Sequence, residues 1–392
     1  MAASQNQSSF DAALPPLPSY SLEPTGDVFD CISDFWLSLL LPVAVYWAAS
    51  LLFHVVDVLD LFPQYRLHTP DEILRRNHAG RFEVARDVVV QQIIQVVTGA
   101  ALALAEPAEM RGKAEYDVAV WATRLRVAQR ALPPLLRLLG LNAAAISKSV
   151  SASHPLLARA LSGGGFPPSL AAPDVGAPAF ASWELSAASL IYHVLVPALQ
   201  FFAAIFILDT WQYFLHRLMH MNRWLYSEWR TPLHGRMSFS AVIPPPPPLS
   251  VTRLPLTQVV SATFHSRHHR LYVPYAFGAL YNHPFEGFLL DTLGAGVAFK
   301  LTGMTLRQGT CFFAFSTLKT VDDHCGYAFP WDPLQRVTSN NAAYHDIHHQ
   351  TWGIKNNFSQ PFFTFWDSLL NTKYKGGRVD RLADKKRTGE TK

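Results

Sequence analysis

Charge is scarce in this chain of 392 residues: Asp, Glu, Lys and Arg together make up 16%, against 12% aromatics. That balance suits a membrane protein better than a soluble one. Cysteine is scarcer still. Cys31, Cys311 and Cys325 form no Cys-x-x-Cys pair, which excludes a disulfide framework and a thiolate metal site. The formal charge of +4 is mild, and no basic stripe is interleaved with stacking aromatics, so nucleic acid is not an expected partner. Residues 1–34 contain no Lys or Arg, so the basic start of a cleaved signal peptide is missing and the first apolar run reads as an uncleaved anchor. His-Glu-x-x-His is absent, which argues against a zinc peptidase.

Long apolar runs are what the chain does have. Residues 35–56 form a 22-residue stretch without acidic or basic side chains, long enough to span a bilayer, with a kink expected at Pro42. Residues 88–105 give a second span, and 185–208 a third that is free of charge over 24 residues. The Ser/Pro/Gln-rich segment 1–34 reads as a disordered lumenal tail. The Arg-rich loop 57–87 then lies in the cytosol. In the loop 106–184, residues 115–139 have helical periodicity with Arg124, Arg126, Arg130 and Arg137; this predicts an interfacial helix broken at Pro133-Pro134. Residues 285–320 are apolar with sparse charges and predict two short helices entering the bilayer and returning. Residues 375–392 are a basic tail.

Sixteen histidines are present, and eight fall in three groups. His216 and His220 end the third apolar run, in DTWQYFLHRLMH; His265, His268 and His269 form HSRHH; His345, His348 and His349 form HDIHH. Residues i, i+3 and i+4 share one side of a helix, so each group can turn its imidazoles toward one centre. Isolated histidines such as His68, His78 and His154 read as ordinary polar residues. Imidazole alone does not choose between Zn, Fe, Cu and Ni. Eight ligands exceed one tetrahedral zinc, which points to two metals. The groups also lack the Glu-x-x-His pairs of carboxylate-bridged bundles. A pair of irons ligated only by histidine at a membrane surface fits dioxygen activation against a lipid C–H bond. The expected architecture is an all-α integral membrane protein, its transmembrane helices (residues 35–208) topped by a cytosolic histidine-box domain (residues 209–374) that holds a di-metal site.

The three boxes, with NHP at 282–284 and DDHCGY at 322–327, resemble the fatty acid hydroxylase/sterol desaturase superfamily. Within it, SRHHRLYVPYAFGALYNHPFEGFLLDTLGAG, STLKTVDDHCGYAFPWDP, NNAAYHDIHHQ, YRLHTPDE and RDVVVQQIIQ are similar to the fungal sphinganine 4-hydroxylase branch. That resemblance implies a multi-pass endoplasmic-reticulum di-iron monooxygenase acting at carbon 4 of sphinganine or dihydroceramide. It carries ligand roles onto His216, His220, His265, His268, His269, His345, His348 and His349, and adds His324 and His283. It also implies electrons from NAD(P)H through cytochrome b5 and its reductase. The chain has no His-Pro-Gly-Gly and no GxGxxG of its own. Arg217, Arg223, Arg267 and Arg270 either dock that donor or form a solvated surface.

Residues 227–263 depart from this pattern, with five consecutive prolines at Pro244–Pro248 between the first two boxes. They read as a translated retained intron or as a surface loop, and His234 within them is not counted as a ligand. Other readings are a sterol desaturase or methyl oxidase of the same superfamily, a hydrolase with two zinc ions, and a histidine-rich metal transporter. The last would place ligands at mid-membrane depth, where only His54 and His193 lie.

Overall fold

The computed structural model describes residues 14–161, 180–222 and 265–376. The proline-rich segment 227–263, the Gly163–Gly165 loop and the basic tail from 377 lie outside the described residues. The chain divides into two compact units, Met1–Asp27 with Pro107–Gln200 and Val28–Glu106 with Phe201–Lys392.

In the first unit, a strand β1 (Glu23–Pro24) pairs antiparallel with β2 (Met110–Arg111). Within the segment expected to be a disordered tail, Glu23–Pro24 thus takes strand structure. A two-residue strand has no room for the alternation that would reveal it in a sequence. The helix expected at 115–139 is present as Ala114–Leu138, but it is not broken at Pro133-Pro134. The prolines come late, and the last turn closes by other bonds: Leu141 N–H to the Leu136 carbonyl at 2.9 Å, over Gly140 at φ +73°. Arg126 on this helix makes a buried ion pair with Glu184 (Nε to Oε1 2.9 Å). Two further helices, Ala143–Val150 and Pro155–Leu161, follow it.

The second unit carries the site. Its helices include α1 (Asp34–Val58), α2 (Pro70–Arg76), α3 (Arg81–Leu104), the end of α4 (Ser182–Met221), α5 (Pro284–Gly287), α6 (Gly294–Thr302), α7 (Leu306–Asp323), α8 (Ala342–His349) and α9 (Phe365–Leu369), with a further short helix at Pro333–Val337. Helices α1, α3 and α4 are long and apolar enough to cross a membrane. They leave large side chains such as Leu52, Ile93, Val97, Phe202 and Phe206 exposed, as lipid contact requires. The chain is thus the mainly helical membrane protein that its apolar runs predict. Helix α3 starts seven residues before the predicted span, and α4 continues past its predicted end through both histidines of the first box. Pro42 lies inside α1, which stays helical on both sides of it.

Helices α6 and α7 lie where two short helices were expected; they are joined through Gly303 in the left-handed region (φ +63°), and α7 is capped by a reciprocal Thr305–Gln308 pair. Three apolar clusters hold the described helices together. Tyr46, Val88, Leu271, Tyr281 and Val321 meet in one, Leu208, Phe299, Phe312 and Phe362 in a second, and Val56, Tyr327, Phe329 and Ala342 in a third.

Candidate metal centre

Each histidine box is set in place by backbone chemistry some distance away in the sequence. Helix α4 is tied to the C-terminal segment by Asp209, which accepts from Phe362 N–H at 3.0 Å and Phe363 N–H at 2.9 Å. Its Thr210 accepts from Trp366 Nε1 at 3.0 Å. The second box was expected on an α-helix but forms a short 3₁₀ helix, His265–Arg270. In that tighter winding His265 and His268 sit three apart on one face, with His269 beside them. The turn is anchored by His78 N–H to the Arg270 carbonyl at 2.8 Å and by a two-way bond between the Asn77 side chain and the Val273 backbone at 2.8 and 2.9 Å. The third box rides on α8, capped by Asn341 accepting from Tyr344 N–H at 3.0 Å. His324 follows α7, just after a buried Lys319 paired with Asp322 and Asp323.

These elements bring nine imidazoles into two adjacent clusters. His216, His220, His265, His269 and His348 form one, and His268, His324, His345 and His349 the other; within each, the facing nitrogens lie within 4.8 Å of one another. All nine residues are buried. The second and third boxes are each divided between the clusters, since His268 and His269, like His348 and His349, part at neighbouring positions. Nε2 of His220 is 2.6 Å from that of His265, 3.0 Å from His348, 3.1 Å from His269 and 3.2 Å from His216. In the second cluster His345 Nε2 is 3.1 Å from both His324 and His349.

Nitrogens this close need something between them. Six of the rings give Nδ1–H to a fixed acceptor: His216 to the Phe358 carbonyl (2.9 Å), His268 to Tyr281 (3.0 Å), His324 to Thr320 (2.8 Å), His348 to Asn356 (2.7 Å), His349 to Leu271 (2.8 Å), and His265 to the Glu286 carboxylate (2.5 Å). That choice of proton leaves the Nε2 lone pair facing inward, as metal ligation requires. Burial keeps the rings neutral. It lowers His265 and His324 to about 3, with the neighbouring His268 adding to the effect on His324. It also depresses His269, His345, His348 and His349 well below the ordinary range. For metal–nitrogen bonds of ~2.1 Å, ligands at right angles would be ~3.0 Å apart and tetrahedral ones ~3.4 Å. Most of the spacings here lie near the right-angled case, and the five-histidine cluster exceeds a tetrahedral set while the four-histidine cluster equals one. The residues fit two metal ions.

His283 does not join either cluster. It caps α5, its Nδ1 accepting from Phe285 N–H at 3.2 Å, as a His ahead of Pro284 can. The arginines near the boxes are largely occupied. Arg267 pairs with Asp87 at 2.5 Å, Arg270 with Glu83, and Arg217 donates to Tyr213 at 3.2 Å; Arg223 is outside the described residues. His68, which lies in YRLHTPDE and outside the three histidine boxes, braces the site. Its ring is 2.7 Å from Asp346 on α8 and 3.4 Å from Glu72, and the same segment is clipped to the His324 loop by Leu67 N–H to the Gly326 carbonyl at 3.0 Å. Only a long-range contact identifies this role.

Burial opposes charging of His68, but Asp346 and Glu72 outweigh it and raise the ring to about 9. A raised folded value stabilises fully below the ordinary pKa near 6.5 and is lost as pH climbs through 9. Wild-type protein in detergent should therefore lose about 3 kcal/mol of stability to unfolding between pH 7 and 10 that His68→Gln does not lose. Denaturation midpoints of the two proteins across that range check it.

An apolar cavity of about 440 Å³ runs among α1, α3, α6 and α7. Four of its lining residues, Gln212, Asp291, Thr320 and Pro361, also line a small void walled by His216, His265, His268, His324 and His345. The cavity is of the size that takes a small lipid-like ligand, and at one end only these four shared residues stand between it and the void at the histidines.

Helices long and apolar enough to cross a membrane, with nine buried imidazoles gathered where one of them ends, define a membrane protein whose histidine clusters can hold metal. The fatty acid hydroxylase family model matches residues 253–372. Over 361 residues the chain is 40% identical to the sphingolipid C4-hydroxylase SUR2 of Saccharomyces cerevisiae, covering 92% of this chain and 77% of that one. It is 40% identical over 340 residues to the sphingolipid C4-hydroxylase sur2 of Schizosaccharomyces pombe (86% and 87% covered). Identity to the sphinganine C4-monooxygenase 1 of Arabidopsis thaliana is 33% over 341 residues (87% and 88%). No solved structure matches. The chain belongs to the fatty acid hydroxylase family.

Proposed function

We propose that this protein is a di-iron monooxygenase that hydroxylates carbon 4 of sphinganine or dihydroceramide, giving phytosphingosine-type products. The observation that carries the reading is the juxtaposition of two buried histidine clusters with the inner end of an apolar cavity. The chain in which this occurs is 40% identical to sphingolipid C4-hydroxylases over most of its length. His216, His220, His265, His269 and His348 would hold one iron, and His268, His324, His345 and His349 the other. When bound, the irons supply dioxygen activation, in which one oxygen atom enters a C–H bond and the other leaves as water.

The chain's own residues prepare that chemistry. Backbone carbonyls and Glu286 fix the ring tautomers, so the ligand lone pairs need no proton release on binding metal. The cavity wall keeps water from the reacting carbon and lays an alkyl chain in line with the site. Electrons would come from NAD(P)H through a separate cytochrome b5 and its reductase. Because Arg267 and Arg270 are committed to ion pairs within the fold, donor docking is not assigned to them. The protein would reside in the endoplasmic-reticulum membrane with its boxes on the cytosolic side.

Membranes from cells expressing the chain, supplied with sphinganine, NADPH and labelled dioxygen, should form 4-hydroxysphinganine carrying one labelled oxygen. Failure to form it, with turnover of a sterol instead, would replace this reading by a sterol desaturase or methyl oxidase.

A further inference from the structure

At its inner end the apolar cavity meets a small group of polar side chains. Asp291 lies on the wall there, within a π-helical turn, Phe288–Leu293, that joins α5 to α6. Such turns widen the helix and re-aim a side chain, and they recur at functional sites. One carboxylate oxygen accepts from Gln212 Nε2 at 3.2 Å and the other from Asn282 Nδ2 at 3.3 Å. Both bonds are long, and a carboxylate has about four acceptor positions. No Lys or Arg among the described residues lies within ion-pair distance of it. A carboxylate on an apolar wall is costly unless donors complete its shell. The structure supplies two weak ones and leaves room on the cavity side for more.

We infer that Asp291, held by Gln212 and Asn282, reads the substrate's polar head: it accepts hydrogen bonds from the donors on carbons 2 and 3 while the alkyl chain fills the cavity. The inference rests on the reaction proposed above and names the residues that choose its position. A long-chain amino alcohol carries its nitrogen and hydroxyl donors immediately before the first plain methylene, which is carbon 4. With those donors at Asp291 and the chain directed toward Gly296 and Phe299, that methylene faces the void walled by His268, His324 and His345. Asp291 is a specificity residue in this account and carries no metal. Its partner on the substrate is a nitrogen-borne hydrogen, which is an ammonium on the free base and an amide N–H on the N-acyl form, together with the 3-hydroxyl.

The test uses the full chain in nanodiscs with its metal, as wild type, Asp291→Asn and Gly296→Leu. Asp291→Asn keeps the shape, removes the charge and turns one acceptor into a donor. Its KM for sphinganine and its binding of labelled sphinganine should weaken about tenfold or more at unchanged metal content. An analogue lacking the 3-hydroxyl should be less sensitive to the substitution than sphinganine. A larger loss for sphinganine than for N-acyl sphinganine identifies the ammonium as the main donor; equal losses identify the hydroxyl, and both support the inference. A Cβ at Gly296 meets only Leu102, at 3.8 Å, so leucine there projects into the cavity without a backbone clash. Gly296→Leu should shift preference about tenfold from an 18-carbon to a 12-carbon base. Wild-type affinity in Asp291→Asn, or an unchanged chain-length preference in Gly296→Leu, overturns the inference. In that event wild-type hydroxylation of carbon 4 leaves the proposed function standing, whereas its absence in wild type sinks the function itself.

Discussion

Replacing His268 with alanine should abolish hydroxylation, by at least about 100-fold, and remove one metal ion per chain while leaving the other bound. Even groups that only support a metal ligand typically cost 10–100-fold when removed, so a ligand should cost at least that. The selectivity follows from the division of HSRHH. His268 faces His324, His345 and His349, whereas its neighbour His269 faces His220, His265 and His348. Loss of His268 leaves three ligands in its own cluster and all five in the other. Metal content measured beside product formation checks this, and simultaneous loss of both ions with the fold intact would contradict two separately held sites.

The largest effect on stability is expected at a residue that touches no histidine ligand. Asp367 is fully buried and accepts four hydrogen bonds, from Phe358 N–H (3.0 Å), Ser359 N–H (2.7 Å), Thr372 Oγ1 (2.6 Å) and Tyr344 Oη (2.8 Å). Phe358 presents its carbonyl to His216, and Tyr344 belongs to the helix carrying the third box. Asp367→Ala would strand the buried Phe358 and Ser359 N–H groups and release the half-buried Thr372 and Tyr344 hydroxyls, and should cost about 3–5 kcal/mol, since each buried donor left without an acceptor costs about 1–3 kcal/mol. Chemical denaturation in detergent should show the drop, with Asp367→Asn recovering part of it because it restores one acceptor. A midpoint within error of wild type would show that this network does not hold the C-terminal segment against α4.

Much of the site was legible because metal ligation writes itself into spacing. Box histidines separated by three and four residues announce convergence whether the turn is α-helical, as at His345–His349, or 3₁₀, as at His265–Arg270. The winding itself was not legible, since both windings accept the same spacing. His324 stands alone in its segment and was reachable only through the resemblance of DDHCGY. His283 drew the same inference from the same source, and the structure gives it a helix-capping position instead. The role of His68 depends on a contact across 278 residues with Asp346, which no local pattern encodes. The spans were readable because lipid exposure demands unbroken apolar runs. Their ends were not, because α4 remains helical beyond its last purely apolar turn, held by Asp209 and Thr210 to segments more than 150 residues away. The cavity is likewise assembled from α1, α3, α6 and α7, and only the folded arrangement shows that it shares wall residues with the void at the histidines.

The account stands most directly on what the purified, active protein contains. Elemental analysis combined with iron Mössbauer spectroscopy should find close to two irons per chain, in the histidine-rich environments of two separate clusters. Fully active protein that holds a single ion, holds zinc in place of iron, or works without metal would contradict it.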